Sequence, residues 1–344
     1  MGLQISEIVT REEISFEDLK GKLIAVDAFN TLYQFLTTIR QPDGTPLMDK
    51  KGRITSHLSG LFYRTTNLMA KGLKLVFVFD GKAPELKEKT HKMRSDVKGE
   101  AIAKFETAET VQEKAKYAAR ISYLTEEMIE ESKELLSSLG VPVVQAPSEG
   151  EAQAAFMAKK QDVFCAASQD YDSLAFGAPK LVRNLTLARK RKLPSGLSVS
   201  IQPEMIELQK VLNSLQINQD QLICLGILTG TDYNPGGVKG LGPKKSLQIV
   251  KQHKYPAMIF KAVQSQLHES GSELEFDWQK IFELFKKPNV TSKYSIKFKE
   301  VNEEKVKKIL VNEHAFSEER VDSALKKIYE GKEEMQQSNL KKFF

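Results

Sequence analysis

Cysteine is scarce in this chain of 344 residues, which contains only Cys165 and Cys224. Both stand in apolar runs, where a reduced thiol acts as a small core residue, so the pattern excludes a disulfide framework and favours an intracellular protein. No apolar stretch approaches the ~20 residues of a membrane-spanning helix, and no secretory signal is expected. A GxxxxGK[ST] phosphate-binding motif is also missing, which argues against nucleotide-driven chemistry.

Basic residues exceed acidic ones only modestly, with 51 Lys+Arg against 45 Asp+Glu and a net charge of +6. They are unevenly placed, because five of them stand between Lys87 and Lys98 and the stretch Arg189 to Lys192 reads RKRK. A basic surface favours a polyanionic partner such as nucleic acid, whereas solvated helix faces are the ordinary alternative.

Short β-branched apolar runs alternate with helical patterns in the first half of the chain. The runs are Leu23–Val26, Leu75–Phe79, VPVVQA and VFCAA, and the helical patterns are Phe29–Ile39, Ser56–Ala70, Thr125–Leu139 and Glu149–Lys160. Near-continuous apolar runs are typical of buried parallel strands. The alternation therefore predicts an α/β fold with a mostly parallel central sheet and helices on both faces.

An acidic residue follows the carboxyl end of every predicted strand. The acids are Asp27, Asp80, the pair Glu149 and Glu151, and the pair Asp170 and Asp172. Asp232 ends the stretch LICLGILTGTD, which we predict to be a helix capped by Asp220 and broken at Gly230. In open α/β sheets the functional crevice lies at the carboxyl ends of the strands, so these acids are expected to meet there.

Each acid also has a simpler interpretation. Ser148 and Glu151 have the spacing of a helix capping box, and Asp170 and Asp172 are common turn residues. These interpretations do not explain why every strand delivers its acid to one edge, where two carboxylates ~4 Å apart repel by roughly 4 kcal/mol. A cluster of hard oxygen ligands without His or Cys predicts two Mg²⁺ ions, with Mn²⁺ able to substitute, and phosphodiester hydrolysis.

The charged segment after Asp80 is predicted to form helices that stand off the sheet. Lys87, His91 and Arg94 are spaced to share one helix face. That face is either a solvated charged surface or a basic surface beside the metals that grips the scissile phosphate, and position alone favours neither.

A glycine hairpin follows Asp232. Gly240-Leu241-Gly242 stands between apolar positions and ahead of a helix that begins with Lys244 and Lys245. Turn amides and a helix N-terminus can together contact a phosphate, so we interpret this hairpin as a phosphate-binding element.

The chain resembles the flap endonucleases of the archaeal and eukaryotic kind, within the structure-specific five-prime nuclease superfamily. The motifs that carry the resemblance span almost the whole chain in order: DAFNTLYQFL, TSHLSGLFYRT, VFVFDGKAPELK, QAPSEGEAQA, SQDYD, VRNLT, GTDYNPGGVKGLGPKKS and QSNLKKFF. Ala83 departs from the pattern, since the family more often has a second proline there, which concerns only the stiffness of the following segment.

The resemblance implies a role for each matching acid and for two basic residues. One ion would be held by Asp27, Asp80, Glu149 and Glu151, and the second by Asp170, Asp172 and Asp232 with Glu151 near both. Lys87 and Arg94 match the basic pair that contacts the scissile phosphate, and Glu149 and Asp232 lie where DNA also approaches.

The resemblance also implies DNA contacts. Tyr33 matches an aromatic on which a base stacks, although a core position on its helix is an alternative, and Arg40 and Arg64 match DNA-contacting arginines. Gly230 matches a backbone contact. The element with Gly240, Gly242, Lys244 and Lys245 matches a helix–two-turn–helix that binds downstream duplex, often through K⁺.

These correspondences divide the chain into expected regions. They are an N-terminal nuclease region (1–105), an internal nuclease region (123–260) that completes one α/β core, a helical arch (82–133) that admits the single-stranded flap, the helix–two-turn–helix (230–253), a C-terminal helical region (261–330) and a tail (337–344).

The tail QSNLKKFF fits a sliding-clamp-binding box. Gln337 opens the box, and in a 3₁₀ turn Leu340, Phe343 and Phe344 would form one apolar plug. The plug either packs back on the parent core or, as the preceding charged stretch YEGKEEMQQ favours, hangs on a tether and binds a sliding clamp.

The function expected is cleavage of five-prime flaps, with five-prime exonuclease activity, in Okazaki-fragment maturation and DNA repair, inside the cell with the DNA. A mismatch-type exonuclease or four-way-junction resolvase is disfavoured by the short chain and clamp tail. A non-catalytic clamp-binding scaffold is disfavoured by the complete acid set.

Overall fold

The computed structural model describes residues 3–87, 90, 123–186, 190–192, 198–269 and 271–340, with isolated positions between 99 and 117. Its contacts divide the chain into two compact units, each built from three segments. The first unit comprises Met1–Ile14, Asp80–Met93 and Ala146–Ser292, and the second comprises Ser15–Phe79, Arg94–Gln145 and Lys293–Phe344.

The second unit contains three parallel strands in the order β2, β3 and β4. They are Leu23–Asp27, Lys74–Phe79 and Val143–Gln145, with Val26 opposite Phe77 and Val78 opposite Val144. The helices of this unit are Ala28–Thr38, Ser56–Ala70, Glu126–Ser138, Glu303–Lys307 and Glu318–Leu340, with a 3₁₀ turn at Glu17–Leu19 and a π-helix at Lys308–Glu313.

The first unit contains four strands in the order β1, β9, β6 and β5. They are Glu12–Glu13, Glu204–Glu207, Lys180–Arg183 and Cys165–Ala167; the pair β5–β6 is parallel, and β9 is antiparallel to both of its neighbours. A separate antiparallel pair joins β7, Lys190–Lys192, to β8, Ser198–Ser200. The helices are Gly150–Lys159, Asp172–Ala175, Leu208–Leu215, Gln219–Thr229, Pro243–Gln252, Pro256–Glu269 and Trp278–Lys286, with a 3₁₀ turn at Glu85–Lys87. The predicted α/β class with mostly parallel pairing is confirmed.

The apolar runs form buried strands, as expected. Four of the five residues of β2 and five of the six of β3 are buried. Cys165 and Cys224 are buried free thiols, and burial raises the pKa of both, that of Cys165 to about 12. The interpretation of both as reduced core residues therefore agrees with the structure.

The predicted helix cap at Asp220 is wrong. The helix Gln219–Thr229 is capped by Asn218, which exchanges hydrogen bonds with Gln221 in a capping box, whereas Asp220 lies in the first turn and pairs with Lys286. Asparagine two residues earlier satisfies the free amides, so the chain begins its helix there.

The capping box, which was the simpler interpretation of Ser148 and Glu151, does not form. Glu149 is the N-cap of Gly150–Lys159 and makes no side-chain cap hydrogen bond. Ser148 Oγ donates instead to the carbonyl of Lys82, at 3.1 Å, and Glu151 accepts a hydrogen bond from Ser168. Both side chains are therefore taken up by long-range partners that their local spacing does not reveal.

The charged stretch before the tail is helical. The stretch was expected to be a tether, but it forms part of the helix Glu318–Leu340. Its Glu, Lys, Met and Gln residues are strong helix formers, so the helix continues through the stretch and takes in the backbone of Gln337 and Leu340. Phe343 and Phe344 lie outside the described residues. In the described part of the chain, no helix combines the length and apolarity needed to cross a membrane.

Candidate active site

Six of the seven predicted acids lie in the first unit. They are Asp80, Glu149, Glu151, Asp170, Asp172 and Asp232. Asp27 lies in the second unit, where it ends β2 and its side chain accepts a hydrogen bond from the amide of Asn30, at 3.0 Å, as the N-cap of Ala28–Thr38.

A close turn positions Asp80 against the next acid-bearing segment. The amide of Gly81 donates to the carbonyl of Ser148, at 2.5 Å, and the amide of Gly150 donates to Asp80 Oδ1, at 2.8 Å. A Cβ on Gly81 would lie 2.3 Å from the carbonyl oxygen of Ala146, so only glycine permits this approach. The turn therefore brings Asp80 to the start of the helix that carries Glu149.

Lys87 lies among these acids. Its Nζ forms a short ion pair with Glu149 Oε1 and a second pair, at 3.5 Å, with Asp232 Oδ2, and it stands 5.6 Å from the centre of the Tyr233 ring. The hydroxyl of Thr90 donates to the carbonyl of Asp232. The Lys87 side chain is only 17% exposed, so a cation from the charged segment is held inside the acid cluster.

The electrostatics of Asp80, Glu149 and Lys87 reflect this packing. Burial raises the pKa of Asp80, with the Gly150 amide and Lys87 acting against it and Asp232 adding to it. Burial also raises the pKa of Glu149, although Lys87 opposes the shift. Burial alone would lower the pKa of Lys87, but the neighbouring carboxylates outweigh it and raise that pKa. Protonated acids and a tightly held ammonium are both ways of offsetting crowded negative charge.

The second acid pair stands on the loop Ser168–Asp172 after β5. Ser168 Oγ donates to Glu151 Oε1, at 2.6 Å, and accepts a hydrogen bond from the amide of Asp170, at 3.2 Å. Asp172 Oδ1 accepts a hydrogen bond, at 2.5 Å, from the amide of Leu3. Ser168 therefore joins Glu151 to the loop, and Leu3 fixes its far end.

The pKa of the Asp172 carboxyl is shifted far from its ordinary value. Burial, followed by the charges of Asp170 and Asp232, raises the pKa of Asp172 to about 7. The Asp172 residue is 5% exposed. Asp170 and Asp232 thus lie close enough to Asp172 to repel it, which links the second acid pair to Asp232.

Five of the six acids of the first unit therefore share one electrostatic environment, and Glu151 is joined to their loop through Ser168. In the part of the chain that the structure describes, however, no three His, Cys, Asp or Glu side chains are arranged to hold one metal ion between them. Lys87 forms ion pairs with carboxylate oxygens of Glu149 and Asp232. Those oxygens were predicted to bind metal ions. The assignment of the acids to two ions stays a prediction.

The predicted glycine hairpin lies between the helices Gln219–Thr229 and Pro243–Gln252. Gly240 has a φ of +84°, and a Cβ on Gly240 or Gly242 would meet nothing within 4 Å. Gly242 is the N-cap, Pro243 occupies the first turn, and Lys244 and Lys245 are exposed. The open turn and the helix N-terminus thus leave backbone and two cations exposed.

Gly230 occupies a tighter position than the hairpin. It is buried, its φ is +108°, and its amide donates to the carbonyl of Gly226, at 2.8 Å. A Cβ at Gly230 would lie 2.9 Å from the amide nitrogen of Gly237. Glycine is needed here because the chain turns sharply just before Asp232.

The remaining predicted DNA contacts lie in the second unit. Tyr33 is 39% exposed, so the core alternative for it is wrong. Arg40 is half-buried, donates to the carbonyls of Thr37 and Gly44, and has its pKa lowered by burial. Arg64 is half-buried on the helix Ser56–Ala70. His91 and Arg94 lie outside the described residues.

The hairpin that follows Arg40 is anchored by a buried network that sequence reasoning missed. Asp49 accepts from Arg53 Nε, at 2.8 Å, and faces His314 Nδ1, at 3.3 Å. His314 Nε2 faces Glu131 Oε1, at 3.0 Å, and His57 lies 3.4 Å from the same carboxyl group. No local signal in the sequence joins residues so far apart along the chain.

Two family comparisons fall on the segments that carry the acids. The XPG N-terminal domain matches residues 2–101, and the XPG I-region matches residues 140–232. Fold and site thus define a protein of the XPG class.

Similarity to individual proteins covers the whole chain. The chain is 53% identical over 335 residues to flap endonuclease 1 of Hyperthermus butylicus, covering 95% of this chain and 94% of the relative. It is 51% identical over 348 residues to flap endonuclease 1 of Pyrococcus abyssi, covering 100% and 98%. The solved flap endonuclease-1 from Methanococcus jannaschii superposes with a TM-score of 0.76 at 44% identity, covering 96% and 98%. The chain belongs to the flap endonuclease 1 family.

Proposed function

We propose that this chain is a structure-specific DNA endonuclease that cleaves five-prime flaps, with five-prime exonuclease activity, in Okazaki-fragment maturation and repair. The observation that carries the proposal is the acid cluster that contains Lys87 in the first unit of a chain from the flap endonuclease 1 family. Such a protein is expected to act inside the cell, wherever the DNA lies.

The acids suit divalent ions of the hard kind. All donors are carboxylate oxygens, and Asp80, Glu149 and Asp172 all have raised pKa values because they are buried near other acids. A divalent cation would offset that crowding, and oxygen-only donors select Mg²⁺ or Mn²⁺. When bound, two such ions supply an activated water and stabilisation of the leaving oxygen.

The acids would divide between two ions. One ion would be held by Asp27, Asp80, Glu149 and Glu151. The other would be held by Asp170, Asp172 and Asp232, with Glu151 nearby. Ser168 supports this division, because its hydroxyl orients Glu151 toward the loop that carries the second pair.

Lys87 and Arg94 would grip the scissile phosphate. The Lys87 ammonium already lies against Glu149 and Asp232 and keeps its proton firmly. Charge-assisted contacts of a lysine and an arginine with phosphate oxygens are strongest when negative charge builds up during the reaction. These two side chains would therefore act mainly on the rate rather than on affinity.

The rest of the DNA would lie along surfaces predicted above. Tyr33, Arg40 and Arg64 would contact DNA in the second unit, and Gly230, Gly240, Gly242, Lys244 and Lys245 would contact it in the first. The exposed lysines at a helix N-terminus suit a phosphate backbone. An added K⁺ would bind at this element.

The chain would work with a sliding clamp. The clamp-binding tail would be formed by Gln337, Leu340, Phe343 and Phe344. It would follow the nuclease regions 1–105 and 123–260, the arch 82–133, the helix–two-turn–helix 230–253 and the C-terminal region 261–330.

The test compares cleavage of a five-prime flap, a blunt duplex and a four-way junction, each in Mg²⁺ and in Ca²⁺. We expect flap cleavage in Mg²⁺ to exceed both other substrates, and Ca²⁺ to support binding without turnover. Glu319→Gln, an exposed acid far along the chain from the cluster, serves as a matched control and should cleave normally. Preferred cleavage of the four-way junction would replace the flap assignment with a resolvase, and cleavage in EDTA would exclude the metal chemistry.

A further inference from the structure

Arg183 holds the loop that carries Asp170 and Asp172 at two points. It stands at the end of β6, and its side chain is 18% exposed. Its Nε donates to the carbonyl of Gln169, at 3.0 Å, and its Nη1 donates to the hydroxyl of Tyr171, at 2.6 Å. The guanidinium carbon also lies 4.4 Å from the centre of the Tyr171 ring. Both residues that flank Asp170 are therefore held by one side chain.

Tyr171 is itself fixed in place. It is 4% exposed, and its hydroxyl accepts a second hydrogen bond from Arg11 Nη1, at 3.4 Å. This residue immediately precedes the helix that begins at Asp172.

The loop needs such a restraint because its two carboxylates repel. Asp170 and Asp172 carry like charges two residues apart, so an unrestrained loop would relax by moving the two acids apart. Ser168 holds one end of the loop through Glu151, and the Leu3 amide holds the other. Arg183 holds the middle of the loop together with the Ser168 hydroxyl, which accepts a hydrogen bond from the Asp170 amide.

We propose that Arg183 is a positioning residue for the divalent ion assigned to Asp170 and Asp172: by holding Tyr171 and the Gln169 carbonyl, it presets both carboxylates for that ion. The proposal rests on the proposed two-ion function. It also gives a role to the motif VRNLT, which contains none of the predicted metal or DNA ligands.

A simpler role for Arg183 is a cross-strand ion pair. Arg183 lies opposite Glu204 in the antiparallel pair of β6 and β9, and their side chains are 3.4 Å apart. That role needs only a positive charge and does not involve the loop. Lysine could supply the charge, but it lacks the planar fork that donates in two directions while stacking on a ring. The two roles therefore predict different results for Arg183→Lys.

The experiment measures Mn²⁺ binding to the intact, DNA-free protein by calorimetry and by electron paramagnetic resonance. Wild type should bind two ions, and Asp170→Ala should lose one. Arg183→Met and Arg183→Lys should both weaken one of the two sites about 10- to 100-fold, as loss of a residue that orients metal ligands does. The other site should keep its affinity.

Three further variants separate the roles. Tyr171→Phe keeps the ring and loses the hydroxyl, so it should weaken the same site less, about three- to tenfold. Glu204→Gln removes the ion pair and leaves the loop contacts, so it should bind both ions as wild type does. In cleavage assays, Arg183→Lys should need a higher Mg²⁺ concentration for half-maximal rate and recover most of the rate at saturating Mg²⁺.

The outcomes are distinct. If wild type bound one ion, or Asp170→Ala bound two, the two-ion function itself would fail. If those two proteins behaved as expected while Arg183→Lys bound both ions normally and Glu204→Gln did not, Arg183 would be only an ion-pair partner. Melting curves in EDTA check that each variant is folded; should Arg183→Met not fold, Arg183→Lys and Tyr171→Phe decide the question.

Discussion

Replacing Asp172 by asparagine should stabilise the metal-free protein. Asp172 is buried, its charge is opposed by Asp170 and Asp232, and it accepts one hydrogen bond from the amide of Leu3. Asparagine keeps an oxygen for the Leu3 amide and removes the charge. The substitution therefore relieves repulsion without creating a cavity or an unpaired donor on Leu3.

The magnitude follows from the raised pKa of Asp172, which is about 7 against an ordinary 3.8. The folded protein binds this proton more tightly than the unfolded chain, so stability is fully present below pH 3.8 and is lost as the pH rises toward 7. Above pH 7, the pKa difference of about three units between the folded and unfolded states lowers the free energy of unfolding by about 4 kcal/mol. Because neighbouring acids share the repulsion, asparagine should recover about 2–4 kcal/mol. For a chain of 344 residues this is roughly 3–6 °C in Tm.

The assay is thermal melting of wild type, Asp172→Asn and the control Glu319→Gln in EDTA. At pH 8 the asparagine variant should melt highest and the control should match wild type. At pH 5 the gain should fall to less than half, because the Asp172 carboxyl of wild type then keeps its proton. Adding Mg²⁺ should raise the Tm of wild type more than that of the variant. An Asp172→Asn protein that melts at or below wild type in EDTA at pH 8 would refute the repulsion argument.

Three further results are expected. Asp170→Ala should abolish cleavage while flap-DNA affinity stays near wild type, because Lys and Arg hold the phosphates; normal turnover in saturating Mg²⁺ would contradict the two-ion assignment. Lys87→Ala and Arg94→Ala should each slow single-turnover cleavage by orders of magnitude with little change in duplex affinity, and a loss seen mainly as weaker binding would show that they bind DNA rather than act on the reacting phosphate. Truncation after Gln336 should leave intrinsic cleavage intact and remove stimulation by the cognate sliding clamp, measured well below substrate saturation; undiminished stimulation would show that the clamp binds elsewhere.

The strands and helices were predictable because their signals are local. The pattern Ser56–Ala70 matches the observed helix, and the run Leu75–Phe79 lies within the strand Lys74–Phe79. An apolar run or a 3.6-residue period needs no knowledge of distant residues. Local rules failed where a competing partner was also available, as when Asn218 rather than Asp220 became the helix cap.

The sequence by itself determined the candidate residues: acids after strands, glycines where the chain turns, and cations in one charged segment. Only the tertiary structure decided how they meet. Lys87 lies against Glu149 and Asp232, and Arg183 contacts both residues that flank Asp170. These partners are far apart in the sequence, so residue spacing could not predict the contacts. Secondary structure follows from neighbours in sequence, whereas the pairing of a charge or a hydrogen bond depends on which surfaces the packed core brings together.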